Sequence, residues 1–218
     1  MPVNLQIEAL LTDLSGYNVT RWDAAMAELK KLGTEAADPL AEIIRHSKNQ
    51  VLVARAIIAI AGTGTPLARE VLLECLKSTD ISNPATAAFE LARYIEEPGV
   101  FEGLAATLKA DNYFLISIAV YSLGESRRAD GVALLATVVR ECPNSDARCA
   151  AIYAMINLPP LRSFLPVLQC LEDDQRASMP VKIAARQLRN NWEDRLKDDS
   201  EKREAWHRRM ESIEWTGA

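Results

Sequence analysis

Apolar residues recur along the chain at a spacing of 31–33 residues. The first series consists of alanines, each inside an apolar stretch: Ala25, Ala56, Ala88, Ala119, Ala151 and Ala184. A second series of larger residues alternates with the alanines: Leu40, Leu72, Leu104, Leu135 and Val167. A third series lies four residues after the second: Ile44, Leu76, Leu108, Val139 and Leu171. Residues at i and i+4 share one face of a helix, so the pattern predicts two helices per repeat.

Turn-forming residues separate the two helices of each repeat. Glycine or proline stands near the middle of every repeat, in the segments Gly33-Thr34, Gly62-Thr63-Gly64-Thr65-Pro66, Pro98-Gly99, Gly124-Glu125-Ser126 and Pro159-Pro160. Asparagines such as Asn49, Asn112 and Asn144 lie between repeats, where they can cap the next helix. No stretch alternates apolar and polar residues long enough to indicate a strand. The prediction is an all-α, right-handed α-solenoid of about five and a half helical hairpins, because one such hairpin cannot bury both of its faces alone.

The repeat also resembles a known family. A period near 32 residues, alanine in the first helix, a glycine in mid-repeat and a Leu-x-x-x-Leu/Val pair in the second helix are similar to the short HEAT-like repeat. That group includes the bacterial repeats of the phycobilisome-lyase type. The resemblance covers residues 18 to about 192. It implies a solenoid whose second helices form a concave surface, and, as one alternative, an accessory protein that handles a tetrapyrrole chromophore.

The two ends depart from the repeat. Residues 4–14 predict an N-terminal capping helix with Leu10, Leu11 and Leu14 turned inward. Residues 1–192 are assigned to the solenoid, and 193–218 to a charged C-terminal helix of the same domain. That helix is predicted to begin after Ser200 as N-cap, with an apolar stripe formed by Trp206, Met210 and Ile213. Two roles remain open for it: sealing the last repeat, or docking on a partner.

Composition restricts the classes of function. The chain has 218 residues, 49% of them hydrophobic and 25% charged, as in folded proteins. The net charge of −5 disfavours a general nucleic-acid binder, which needs a basic face. No apolar run reaches the roughly 20 residues that span a bilayer, and no secretory signal is visible, so a cytoplasmic location without membrane contact is expected.

Catalytic and metal-binding patterns are missing from the sequence. The four cysteines have no CxxC spacing, and the two histidines lie far apart, so no metal or cofactor is expected. The segment Gly62-Thr63-Gly64-Thr65-Pro66 lacks the lysine of a phosphate-binding loop and is interpreted as a turn. No nucleophile motif or histidine–carboxylate pair stands out, which favours a non-enzymatic role.

One row of charges is a candidate binding surface. The basic row directly follows the third apolar series and consists of Arg45, Lys77, Lys109 and Arg140. Glu42 and Glu74 run beside it in the first two repeats, and the equivalent residue in the third repeat is Ala106. Two explanations are open: cations favoured at helix C-termini by the helix dipole, or a strip that recognises an acidic surface. Tyr113, next to Phe114, is a further candidate contact, either exposed or packed over a neighbouring repeat.

The sequence therefore favours a non-catalytic scaffold or adaptor that binds another protein or a peptide along its concave second-helix face. The residues expected at that interface are Arg45, Lys77, Lys109, Arg140, Glu42, Glu74, Tyr113 and Trp206. The tetrapyrrole accessory role is the first alternative. Binding of nucleic acid or phosphate through the basic row is the second, and it is disfavoured by the net charge.

Overall fold

The computed structural model of the chain describes residues 3–78, 82–126 and 128–211, without the side chains of Ser82, Ala129 and 203–211. Within these ranges the chain is α-helical and contains no strand. The helices are α1 Val3–Ser15, α2 Val19–Leu32, α3 Thr34–His46, α4 Gln50–Thr63, α5 Pro66–Cys75, α6 Ser82–Leu91, α7 Val100–Thr107, α8 Tyr113–Glu125, α9 Ala129–Glu141, α10 Ser145–Ala154, α11 Leu165–Asp173 and α12 Met179–Glu211. Short 3₁₀ turns follow α6 and α10 and precede α11.

The predicted repeat is confirmed by the helices. The alanine series falls on α2, α4, α6, α8, α10 and α12, and each of those alanines is at most 1% exposed. The second series falls on α3, α5, α7, α9 and α11. Its leucines Leu40, Leu72, Leu104 and Leu135 are fully buried, whereas in α11 Leu168 takes the buried place beside Val167. Small residues on the first helix and larger ones on the second therefore build the core.

Asparagine fixes the start of several first helices. The Oδ1 atoms of Asn18, Asn49, Asn112 and Asn144 accept hydrogen bonds from backbone N–H groups in the first turns of α2, α4, α8 and α10. Within the repeats, Gly33, Gly64 and Gly99 have φ values of 56°, 70° and 80°, a conformation that glycine adopts without steric cost. The turn predicted at Gly124-Glu125-Ser126 starts later than expected, because α8 continues through the buried Gly124 to Glu125 and has its C-cap at Ser126.

The chain divides into two compact units, residues 1–126 and 127–218. In the first unit, α2, α4, α6 and α8 pack in succession, and α3 and α5 pack beside them. Helix α1 joins this core through Ile7 and Leu14, while Leu10 and Leu11 are only half-buried. Arg55 of α4 holds the end of α1, since its Nη1 donates to the carbonyl oxygens of Leu14 at 2.8 Å and Gly16 at 2.6 Å.

The second unit is organised around the long helix α12. Helices α10 and α11 both pack against it, and α9 packs on α10. Trp192 is fully buried in α12, with its ring centroid 6.3 Å from that of Phe164. Arg195 Nη1 donates to the carbonyl oxygens of Ile156 at 2.8 Å and Leu158 at 2.9 Å, and so satisfies the backbone after α10.

The C-terminal prediction needs one correction. Residues 193–211 do not form a separate helix capped by Ser200, because α12 runs without a break from Met179 to Glu211. The segment contains no glycine or proline, and ion pairs between Arg189 and Glu193 and between Asp198 and Lys202 support it at i,i+4 spacing. Of the predicted apolar stripe, Ile213 and the side chains of Trp206 and Met210 lie outside what the structure describes.

Candidate functional site: an apolar cleft with two lysines

The first cation of the basic row is neutralised within the fold. Arg45 lies in the last turn of α3, and Glu74 lies on α5. The Nε and Nη2 atoms of Arg45 donate to the two carboxylate oxygens of Glu74, both at 3.0 Å. Glu42 faces His46 on its own helix, with 3.4 Å between Oε2 and Nε2. Arg45 is thus paired with Glu74 inside the fold, and it adds little free positive charge to the surface.

The next two cations of the row differ from Arg45 in their surroundings. Lys77 and Lys109 are exposed, and neither has an ion pair within the described part of the chain. Arg45 pairs with the glutamate 29 residues later, and the residue 29 positions after Lys77 is Ala106. Because an alanine replaces the glutamate in this repeat, Lys77 lacks the carboxylate that Arg45 has.

Helices α5 and α7 end before these lysines. Leu76 and Leu108 are the C-caps, so Lys77 and Lys109 each lie one residue beyond the C-cap of a helix. Their backbone N–H groups donate to the carbonyl oxygens of Glu74 at 3.0 Å and Ala106 at 3.3 Å, which gives both lysines the same local geometry. The side chains therefore emerge from equivalent turns of two successive second helices.

An apolar cleft lies beside the two lysines, within the first unit. Its lining consists of Leu73, Leu76, Lys77, Gly99, Gly103, Ala106, Thr107, Lys109, Ala110 and Leu115. Its volume of about 460 Å³ lies within the range of about 300–1,000 Å³ that is common for ligand sites. Apolar walls with a few polar groups at defined places are typical of binding sites, and here the charged groups are both ammonium ions. We call this feature the Lys77–Lys109 cleft.

Gly103 allows the two second helices of the cleft to approach closely. A Cβ atom at this position would lie 2.6 Å from Leu73 Cδ2 and 3.6 Å from Leu76 Cδ1. Glycine inside a helix is less favourable than alanine by about 1 kcal/mol, so the close packing of Leu73 is what the residue contributes here. The role of Gly103 could not be recognised from the sequence, because this glycine lies inside α7 rather than at a turn.

The aromatic pair at the start of α8 is exposed. Tyr113 is 42% and Phe114 is 62% exposed, which decides between the two predicted arrangements. Asn112 Oδ1 accepts from the backbone N–H groups of Phe114 at 3.1 Å and Leu115 at 3.2 Å, and this cap fixes the start of the helix. Leu115 lines the cleft, whereas Tyr113 and Phe114 do not.

The remaining predicted residues belong to the second unit. Arg140 is exposed in the last turn of α9, the place where a helix dipole favours a cation. The row ends at Glu172 of α11, whose buried carboxylate binds Arg189 Nε at 2.6 Å and Arg186 Nε at 3.1 Å. Trp206 belongs to α12, but its side chain is outside the described part of the structure.

The cysteine beside the cleft wall is unsuited to nucleophilic chemistry. Burial raises the pKa of the Cys75 thiol to about 11, with a further rise from Glu74 and a smaller opposing effect from Arg45. The thiol is therefore protonated at neutral pH, and the thiolate is the nucleophilic form. Among the described residues, no group of three histidine, cysteine or acidic side chains could hold a metal ion. None of the described helices combines the length and apolar character that a membrane crossing requires.

Comparison with known proteins places the fold in the class of α-helical repeat proteins. No family model and no curated protein matches the chain. Solved structures of engineered proteins do match: one at TM-score 0.53 covers 87% of this chain and 97% of its own, and a second at 0.55 covers 86% and 98%. A third, at 0.54, covers 86% of this chain and 58% of its own. Each is 18% identical to this chain, so the likeness concerns the fold alone.

Proposed function

We propose that the protein is a non-catalytic interaction module that holds a segment of another protein in the Lys77–Lys109 cleft. The observation that carries the proposal is the combination of an apolar cleft with two exposed lysines that lack ion-pair partners in the described structure. Apolar walls supply most of the binding free energy, while unpaired cations select an acidic partner. Repeat proteins offer extended surfaces of this kind without any catalytic group.

The nucleic-acid alternative has less support. Arg45 is engaged by Glu74, so the first unit offers two cations of the basic row for phosphate contacts. Two phosphate contacts correspond to a slope of only about −2 in the logarithm of the binding constant against the logarithm of salt concentration, far from the six to ten contacts of strong binders. The net charge of −5 adds a repulsive background.

The tetrapyrrole alternative rests on the repeat resemblance. The resemblance concerns the helical hairpins and includes no site residue, and no family model matches the chain. Absorbance titration with a bilin separates this alternative from the main proposal, since a chromophore bound in an apolar cleft shifts its spectrum.

Site-specific photo-crosslinking in the native host tests the proposal. A photoreactive residue at Ala106, which lines the cleft, is expected to capture one defined protein, and the same probe at the exposed Tyr121 of α8 is not. The adduct should disappear when Lys77→Glu and Lys109→Glu are combined. The combined control Lys30→Glu and Lys48→Glu changes two other exposed lysines and should retain it. Identical adducts from both probe positions, or an adduct insensitive to the cleft lysines, would contradict the proposal.

A further inference from the structure

The separation of Lys77 and Lys109 sets the distance expected between two acidic groups of a partner that binds both lysines. Lys77 and Lys109 are 32 residues apart and occupy equivalent turns after α5 and α7. Packed helices lie about 8–10 Å apart, and Leu73 of α5 lies directly against Gly103 of α7. A partner that engages both ammonium groups therefore needs two carboxylates about 8–10 Å apart.

The cleft is apolar apart from its two lysines and Thr107. Leu73 and Leu76 line it from α5, and Ala106 and Ala110 line it from α7 and the turn that follows. A carboxylate placed over these side chains would lose water without gaining a partner, so the middle of the bound segment has to be apolar. The cleft thus requires two acidic groups with apolar side chains between them on the same face.

A helix meets this requirement better than an extended strand. Residues i and i+7 of an α-helix lie on one face about 10.5 Å apart, and residues i+3 and i+4 lie between them on that face. In a strand, residues on one face are spaced about 6.8 Å or about 13 Å apart, on either side of the distance needed. Amphipathic helices that enter apolar grooves use the same i, i+3, i+4, i+7 positions.

We infer, on the basis of the proposed function, that the partner segment is an amphipathic helix with acidic residues at i and i+7 and large apolar residues at i+3 and i+4. The apolar pair enters the Lys77–Lys109 cleft, and the two acids bind Lys77 and Lys109. The specificity follows from the third repeat, where Ala106 occupies the position that a glutamate holds in the second. Glu74 neutralises Arg45, whereas no carboxylate among the described residues pairs with Lys77, which is therefore available to the partner.

Introducing a carboxylate at position 106 of this protein gives a direct test of the inference. In the variant Ala106→Glu, a glutamate stands 29 residues after Lys77, as Glu74 stands 29 residues after Arg45. The variant Ala106→Gln has nearly the same size and no charge, and it serves as the matched control. Position 106 is exposed, so both variants are expected to fold, and circular dichroism checks this.

Fluorescence anisotropy with synthetic 16-residue helical peptides measures the binding. The full-length protein is expected to bind a peptide with glutamates at i and i+7 and leucines at i+3 and i+4. Affinity should fall at least tenfold when both glutamates become glutamine, or when the second moves to i+5, off the binding face. The substitution Ala106→Glu should weaken binding at least fivefold relative to Ala106→Gln, while Lys48→Glu, outside the cleft, leaves it unchanged.

Three results would overturn the inference. Equal affinities for the glutamate and glutamine peptides would remove the role of the two lysines. Equal affinities for the i+7 and i+5 peptides would remove the helical spacing. Binding of dodecanoate without binding of the i+7 peptide would assign the cleft to a small amphiphilic anion instead. If crosslinking through Ala106 still captures a protein in any of these cases, the proposed function stands and only the helical acidic segment is wrong.

Discussion

A single residue in the third repeat determines the charge of the candidate site. Ala106 replaces the glutamate of the second repeat, and this change removes the carboxylate that would neutralise Lys77. Arg45 and Lys77 look equivalent in the sequence, yet one is held in a bidentate ion pair and the other has none among the described residues. Whether a cation of the row can bind a partner therefore depends on the residue that the next repeat places beside it, which is Glu74 for Arg45 and Ala106 for Lys77.

Gly103 is expected to control the shape of the cleft more than the stability of the protein. In Gly103→Ala the new Cβ meets Leu73 Cδ2, the end of a side chain that can rotate, and Leu73 lines the cleft. The gain of about 1 kcal/mol in helix propensity offsets the strain, so the urea midpoint should change little. Binding of the i+7 peptide should weaken severalfold as Leu73 moves. Unchanged affinity by anisotropy would contradict this role.

The pKa of the buried carboxyl of Glu90 is raised, whereas the pKa of a paired carboxyl such as Glu172 is lowered. Glu90 is 5% exposed on α6, and its Oε2 lies 2.5 Å from Arg93 Nη2. Burial raises the pKa of Glu90 above its ordinary value of 4.5, and the charge of Arg93 partly opposes that rise. The folded chain therefore keeps a proton that the unfolded chain has lost, and the free energy of unfolding falls as pH rises from 4.5 through the folded pKa.

The variant Glu90→Gln should remove this fall. Relative to the wild type, its free energy of unfolding should increase as pH rises from 4.5 to 7, because no charge has to be buried. Urea unfolding at both pH values measures the difference. The exposed Glu96→Gln is the control and should show no such gain. A stability difference that is the same at the two pH values would show that Glu90 is not responsible.

Ion pairs of one buried glutamate join two helices of the second unit. Helix α12 binds α11 through Glu172, whose side chain is 5% exposed and accepts from Arg186 and Arg189. The hydrogen bond from Arg189 and, less strongly, that from Arg186 lower the pKa of Glu172 below 4.5, although burial opposes this. Its contribution to stability is therefore complete above pH 4.5 and is lost as pH falls through the folded pKa.

Glu172→Gln is expected to lower the free energy of unfolding by about 2 kcal/mol at pH 7, since hydrogen bonds between charged groups are lost in a buried place. The loss should shrink toward pH 3, where the wild-type carboxylate becomes protonated as well. Urea denaturation at the two pH values tests this, with the exposed Glu141→Gln of α9 as control. An equal loss at both pH values would mean that shape, not charge, holds α11 on α12.

At the scale of the whole molecule, the sequence determined the class of fold. The structure has the features that the sequence predicts at their predicted positions. These are the buried alanines at a spacing of 31–33 residues, the buried leucines between them and the asparagines that cap helices. These features are local or periodic, so they can be read from one chain: burial on a helical face follows a fixed period, and a cap lies within three residues of its donor. The net charge and the lack of catalytic motifs came from the sequence in the same way.

The candidate site depended on tertiary structure, because it consists of neighbours far apart in the chain. The sequence placed Arg45, Lys77 and Lys109 in one row, but only the packed helices show that Glu74 neutralises Arg45 and that Leu73 fills the space above Gly103. The continuity of α12 past Ser200, in contrast, follows from local features, because the segment contains no glycine or proline and Asp198 and Lys202 form an i,i+4 ion pair. Periodicity specifies which face of a helix is buried; it does not specify which side chains meet across two helices, since that depends on their separation and on the residues each leaves at the contact.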